Sequence, residues 1–227
     1  MPSFLRFSLG LCLFSLVPLS AVAQPPVKLP KIVVFEHDGW RTSVAFSPDS
    51  KTLAVADFGV HLFDTATGKL KRRLGEEPKG DTAARHPDLE MTACRAVAFS
   101  PDGKLLATGA SRWNKQGLWN VATGEYLRPL LLPKKEPIDD LAFSPDGTIL
   151  AAAVAEDYVQ LFDPTTGNHL NRLDGIWWPH RLAFAPDGRT IAAITMNASA
   201  KNAGATPGVI HRWEVADRKK IESIGEK

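Results

Sequence analysis

Apolar and polar residues alternate along this chain in short bursts, and the bursts recur in the same order four times. Each round opens on a period-two segment: VAF at 44–46, VAF at 97–99, LAF at 141–143 and LAF at 182–184. A Ser/Ala-Pro-Asp-Gly/Ser string follows, then a second apolar segment (TLAVA, LLATGA, ILAAAV, TIAAIT). A third segment carries an aromatic near its end (VHLFD, QGLWN, VQLFD, VIHRWE), and a short turn leads to a fourth (KLKRRL, EYLRPL, NHLNRL, KKIESI). Strict alternation sends successive side chains to opposite faces, which is the signature of a strand. A helix is excluded because every round places Pro and Gly where it would have to continue.

The residues between the strands explain why the strings recur. In Ser100-Pro101-Asp102-Gly103, Pro101 fixes φ for the second position of a type I turn, while Ser100 suits the first and Gly103 the fourth. Each copy is therefore an antiparallel hairpin. Four short strands repeated at roughly 40–50 residues, the interval separating Phe46, Phe99, Phe143 and Phe184, make one blade of a β-propeller.

The expected fold is all-β: a propeller of about four four-stranded antiparallel blades near 37–74, 90–130, 134–173 and 175–224. An N-terminal extension at 24–36 precedes them and holds one candidate strand, Lys31 to Phe35. That strand is surplus, because Lys219 to Ser223 already serves as the fourth strand of the last blade. The ring is thus closed with four blades, left incomplete, or completed by a second chain. An unpaired edge is a template for pairing, so the surplus strand offers a route to a homo-oligomer.

The VAFSPDG-type strings, the LFD and LWN strand ends and the TG turns resemble the WD-repeat (WD40) propellers over nearly all of Lys31 to Ile224. SPDG-type turns also occur in other exported propellers, the TolB-like and lactonase-like ones. The resemblance implies a hydrogen-bonded His, Asp and Trp in each blade, and this chain departs from it. His37 and Asp57 match in the first blade, but Phe63 replaces Trp and has no N–H to donate. Trp119 is paired with Glu90 at the His position, Phe162 with Lys134 and Glu156, and Trp213 with Gly175. Packing between blades is expected to substitute for the polar network.

Residues 1–23 read as a secretory signal peptide. Arg6 leads into SLGLCLFSLVPL, and Ala21-Val22-Ala23 is a small-x-small cleavage pattern. The apolar run is too short to span a bilayer and is interrupted by Pro18. The expectation is export to the periplasm or outside the cell, with no membrane attachment after cleavage. A net charge of +2 over 227 residues provides no footprint for nucleic acid. Cys12 leaves with the signal, so Cys94 stands alone, without a disulfide partner, and reads as a small buried residue.

Tight turns of uniform length mark one side of the blades as structural, whereas 76–90 and 197–208 put variable loops on the other side, where binding is more often found. Trp and Arg residues gather near those loops, and both types are enriched at interface hot spots. The candidate contact residues are Trp40, Arg41, Arg95, Trp113, Trp178 and Arg181, with Asp139-Asp140 adding negative charge to the same rim. Trp177 and Trp178, as neighbours on a strand, would point oppositely.

No catalytic, cofactor or metal residues are assigned. The six histidines are dispersed without ligand spacing, and Asp49, Asp102, Asp146 and Asp187 are turn residues. The chain reads as a non-catalytic platform for a protein partner. The alternatives are a lactonase-like enzyme or small-ligand binder using the central channel, and a structural module of an envelope assembly.

Overall fold

The structure is a computed structural model, and it describes residues 43–56, 59–75, 94–110, 116–134, 136–155, 158–195, 209–217 and 219–224. All belong to the unit Val33–Lys227. Each round of the repeat forms one four-stranded antiparallel sheet with its strands in chain order. Sheet 1 holds β1 (Val44–Phe46), β2 (Thr52–Ala56), β3 (Val60–Asp64) and β4 (Leu70–Leu74); sheet 2 holds β5 (Cys94–Phe99), β6 (Leu105–Ala110), β7 (Gly117–Asn120) and β8 (Tyr126–Pro129). Sheet 3 holds β9 (Ile138–Phe143), β10 (Leu150–Val154), β11 (Tyr158–Phe162) and β12 (His169–Leu173); sheet 4 holds β13 (Pro179–Phe184), β14 (Thr190–Thr195), β15 (Ile210–Glu214) and β16 (Lys220–Ile224).

The first turn of each sheet is tied by its own side chains. Gly103 N–H donates to Ser100 O at 2.8 Å, Ser100 Oγ donates to Asp102 Oδ1 at 2.6 Å, and Leu105 N–H donates back to Ser100 Oγ at 2.9 Å. Ser47 and Asp49 make the same bonds in sheet 1, and Ser144 and Asp146 in sheet 3. The register between third and fourth strands shifts at the same place in all four sheets: at Leu62/Phe63, Leu118/Trp119, Leu161/Phe162 and Arg212/Trp213.

Packing between sheets follows one rule. The side chains of each sheet facing the previous sheet are large and those facing the next are small near the inner strands. Val97, Phe99, Leu106 and Trp119 of sheet 2 pack on Ala54, Ala56, Val60 and Leu62 of sheet 1. Leu141, Leu150 and Phe162 of sheet 3 pack on Ala96, Ala107 and Leu118 of sheet 2, and Ile191 and Trp213 of sheet 4 on Ala151, Val159 and Leu161 of sheet 3. The innermost strands pack in the order β1, β5, β9, β13. Prolines and glycines of the first turns stack in the same order: a Cβ added at Gly103 would lie 3.6 Å from Pro48 Cδ, one at Gly147 3.5 Å from Pro101 Cδ, and one at Gly188 3.6 Å from Pro145 Cδ.

This arrangement separates the four phenylalanines that the repeat made equivalent. Phe99 is buried and Phe143 and Phe184 are half-buried, whereas Phe46 is 64% exposed, because among the described residues no strand covers that face of sheet 1. Cys94 is buried, as expected of a small apolar residue, with its Sγ near the carbonyls of Ala96 and Gly109. Trp119 Nε1–H donates to Thr108 Oγ1 of β6 at 2.9 Å rather than to a His. The expected strand at 31–35, His37, Asp57, Glu90 and Glu156 lie outside the described residues.

Candidate functional site

Strand β9 carries two adjacent carboxylates near its start, and strand geometry sends them opposite ways. Asp139 turns toward sheet 2, where Arg95 Nη1 on β5 lies 2.7 Å from its Oδ1. Asp140 turns toward sheet 4, where its Oδ2 accepts from Leu182 N–H on β13 at 2.8 Å. The rim charge expected from Asp139-Asp140 is therefore spent on joining three successive inner strands. Asp139 is 4% exposed, and its Oδ2 is buried without a hydrogen-bond partner. Burial pushes the Asp140 carboxyl above the ordinary range, against the opposing pull of the Leu182 and Leu141 N–H groups and of the nearby Arg181 and His180.

Arg181, on β13, is exposed, with Nη1 3.1 Å from His180 O and 3.5 Å from Asp139 O. It thus faces solvent beside the Arg95–Asp139 pair. Just before β13 stand Trp177 and Trp178, on a bend rather than the strand expected. Both are exposed, at 54% and 43%, with their rings edge to face at 6.0 Å. Trp178 has φ of +50°, a left-handed backbone that costs a residue with a Cβ about 1–2 kcal/mol. The bend is what frees both rings at once, where alternation along a strand would have turned one inward.

Of the six candidate contact residues, Arg181 and Trp178 are both exposed and stand three residues apart at the head of β13. Arg95 is engaged in the ion pair with Asp139, its side chain 19% exposed. Trp40, Arg41 and Trp113 lie outside the described residues. One group the sequence reading missed is the buried Glu136, which accepts from Tyr158 Oη on β11, while the Arg172 guanidinium from β12 sits 4.0 Å over the Tyr158 ring. No motif links residues so far apart; only the sheet pairing does. The recurring aspartates are turn residues: Ser47, Ser100 and Ser144 donate to Asp49, Asp102 and Asp146, and Asp187 accepts from Arg189 N–H. Among the described residues no three His, Cys, Asp or Glu side chains gather as a metal-binding group.

Four antiparallel four-stranded sheets packed in sequence, with a polar link joining three of their inner strands, define a β-propeller protein. Comparison with known proteins gives the family. Residues 30–64 and 87–116 match the WD domain, G-beta repeat, and residues 109–175 match the anaphase-promoting complex subunit 4 WD40 domain. The chain is 30% identical over 168 residues to the WD repeat-containing protein SL1-17 of Schistosoma mansoni, covering 71% of this chain and 50% of that protein. It is also 30% identical over 189 residues to the small ribosomal subunit protein RACK1y of Oryza sativa subsp. japonica, covering 79% and 49%. Kuenenia stuttgartiensis hydrazine synthase shares the fold at a TM-score of 0.65 and 16% identity, over 85% of this chain and 52% of that one. The chain belongs to the WD40-repeat β-propeller family. It spans about half the length of the curated relatives it matches.

Proposed function

We propose that this protein is an exported, non-catalytic platform that binds a protein partner through the patch formed by Trp177, Trp178 and Arg181. The observation that carries the reading is the exposed tryptophan pair. Trp119 and Trp213 are buried in the joints between sheets, yet Trp177 and Trp178 are held out side by side with one backbone in the left-handed region. Local strain of that kind persists where the surrounding structure enforces it and is concentrated at binding sites. Trp and Arg together offer large apolar area and directed hydrogen bonds.

A non-catalytic role is supported by where the acidic groups are spent. Asp49, Asp102 and Asp146 are bonded inside their turns, and Asp139 and Asp140 bind the strands on either side. Export is supported by the signal-like layout of residues 1–23. The binding test is affinity capture from the exported fraction, followed by titration of the captured protein against the purified chain. Trp178→Ala with Arg181→Ala should weaken that binding at least about tenfold, as loss of a hot spot does, without changing the melting temperature by more than a degree or two. Undiminished affinity would sink the patch assignment. N-terminal sequencing of the exported protein should begin at Gln24.

A further inference from the structure

The two ends of the sheet series present faces that complement each other. In sheets 2, 3 and 4 the face toward the previous sheet is built from the register positions Val97/Phe99/Leu106/Trp119, Leu141/Phe143/Leu150/Phe162 and Leu182/Phe184/Ile191/Trp213. The same positions in sheet 1 are Val44, Phe46, Leu53 and Phe63. Val97 and Phe99 are 6% and 9% exposed, but Val44 and Phe46 are 62% and 64% exposed. The opposite face repeats as Ala45/Ala54/Leu62, Ala98/Ala107/Leu118 and Ala142/Ala151/Leu161 in sheets 1 to 3, and as Ala183/Ala192/Arg212 in sheet 4. There Ala54, Ala107 and Ala151 are fully buried, while Ala183 is exposed, Ala192 half-exposed and Ile194 43% exposed.

We infer that the open face of sheet 1 docks on the open face of sheet 4 in a second copy of this chain; Arg181, the register partner of Ile194, then lies at the edge of this joint, and the exposed Trp177–Trp178 pair is the part of the proposed binding patch left to another partner. The occupant is specified by the chain itself. Each open face is one half of a joint that the molecule makes three times internally, with large residues on one side and alanines on the other. A second copy brings both missing halves at once. Sheet 1 of each copy meets sheet 4 of the other, and the two equal contacts, related by a twofold, close the assembly with no end left open.

One further detail fits this joint. The first turns would stack as they do internally, placing Ser50 against Pro186. The internal contacts leave room for a Cβ at that position, at 3.5–3.6 Å from proline Cδ.

The test is the molar mass of the full chain by light scattering coupled to size exclusion, over a range of concentrations. The expected result is twice the chain mass, with Phe46→Glu and Ile194→Glu each giving monomer. Both residues are exposed within one copy, so circular dichroism and the melting temperature of the monomeric variants should match those of the wild type measured below its dissociation concentration. Mixing the two variants should restore some dimer, because one of its two joints then pairs an unaltered sheet 4 with an unaltered sheet 1. A monomeric wild type, a dimer that both substitutions leave intact, or a mixture with no recovered dimer overturns the inference.

Discussion

Arg95 on β5 and Asp139 on β9 are joined at 2.7 Å across the joint between the second and third sheets. The pair is largely withdrawn from water, with the Asp139 side chain 3% exposed and that of Arg95 19%. Removing one member of a buried pair strands the other charge. Arg95→Met and Asp139→Leu alone should therefore each cost about 3 kcal/mol, the low end of the range for broken buried pairs, since Arg95 keeps some water. Arg95→Met with Asp139→Leu should recover most of that loss. Chemical denaturation of the four proteins of the cycle gives the coupling directly. A coupling near zero would show that the pair contributes nothing.

Phe46 and Phe99 close the same VAF string and differ only in what covers them. Phe99→Ala should cost about 3–5 kcal/mol, as for a core aromatic. Phe46→Ala should stay within about 0.5 kcal/mol in dilute, monomeric protein, as surface changes do. Parallel denaturant titrations of the two variants make the comparison.

The turn of sheet 1 ends in Ser50 where the other three end in glycine. Ser50 has φ of +59°, close to the +70° of Gly103. A residue with a Cβ pays about 1–2 kcal/mol for that conformation, part of which glycine gives back as chain entropy. Ser50→Gly should raise stability by roughly 0.5–1 kcal/mol and Gly103→Ser should lower it by about as much. The added Cβ at Gly103 meets Pro48 at an ordinary contact distance, so the penalty comes from backbone conformation rather than a clash. Thermal melts of both variants would read opposite shifts.

Sheet 4 lacks the first turn hydroxyl, with Ala185 where the others have Ser47, Ser100 and Ser144. Ala185→Ser should gain about 1 kcal/mol, the net value of one hydrogen bond, and Ser100→Ala should lose a similar amount. The Ser100 hydroxyl, then the Lys104 N–H, hold the Asp102 carboxyl below its ordinary value of 3.8. A depressed carboxyl stabilises the fold above its unfolded pKa, and that contribution is lost as pH falls through the folded pKa. Ser100→Ala should thus flatten the acid limb of the stability profile, and Ala185→Ser should steepen it. Unfolding free energies measured along an acid series distinguish the two.

The strands and first turns were legible because their determinants are local: period-two alternation, Pro101 setting φ, and Ser100 and Asp102 bonding within five residues. Burial was not. Identical strings at 44–46 and 97–99 give one exposed and one buried phenylalanine, because cover comes from a neighbouring sheet. The carboxylates at 139 and 140 were placed at the right end of their strand, but their partners Arg95 and Leu182 are more than 40 residues away in sequence, and only the packing of β5, β9 and β13 brings them together. Trp178 escaped the strand pattern because its left-handed backbone replaces an alternation the sequence suggests.

Asp140 provides the pH response opposite in sign to that of the turn aspartates. Burial raises its carboxyl above 3.8 in the fold, so the folded chain holds this proton to higher pH than the unfolded chain does. The stability contributed by the group is complete below the unfolded value and is lost as pH rises through the raised folded value. Asp140→Asn keeps an oxygen to accept from Leu182 N–H while removing the charge that burial opposes. The variant should match the wild type in acid and equal or exceed it at neutral pH, with the difference opening above 3.8. Asp140→Ala should instead lose about 1–3 kcal/mol, by leaving the buried Leu182 N–H without an acceptor. Denaturation of the three proteins from acid to neutral pH reads both effects. A neutral-pH loss in Asp140→Asn equal to that in Asp140→Ala would mean that the charge, not the hydrogen bond, joins β9 to β13.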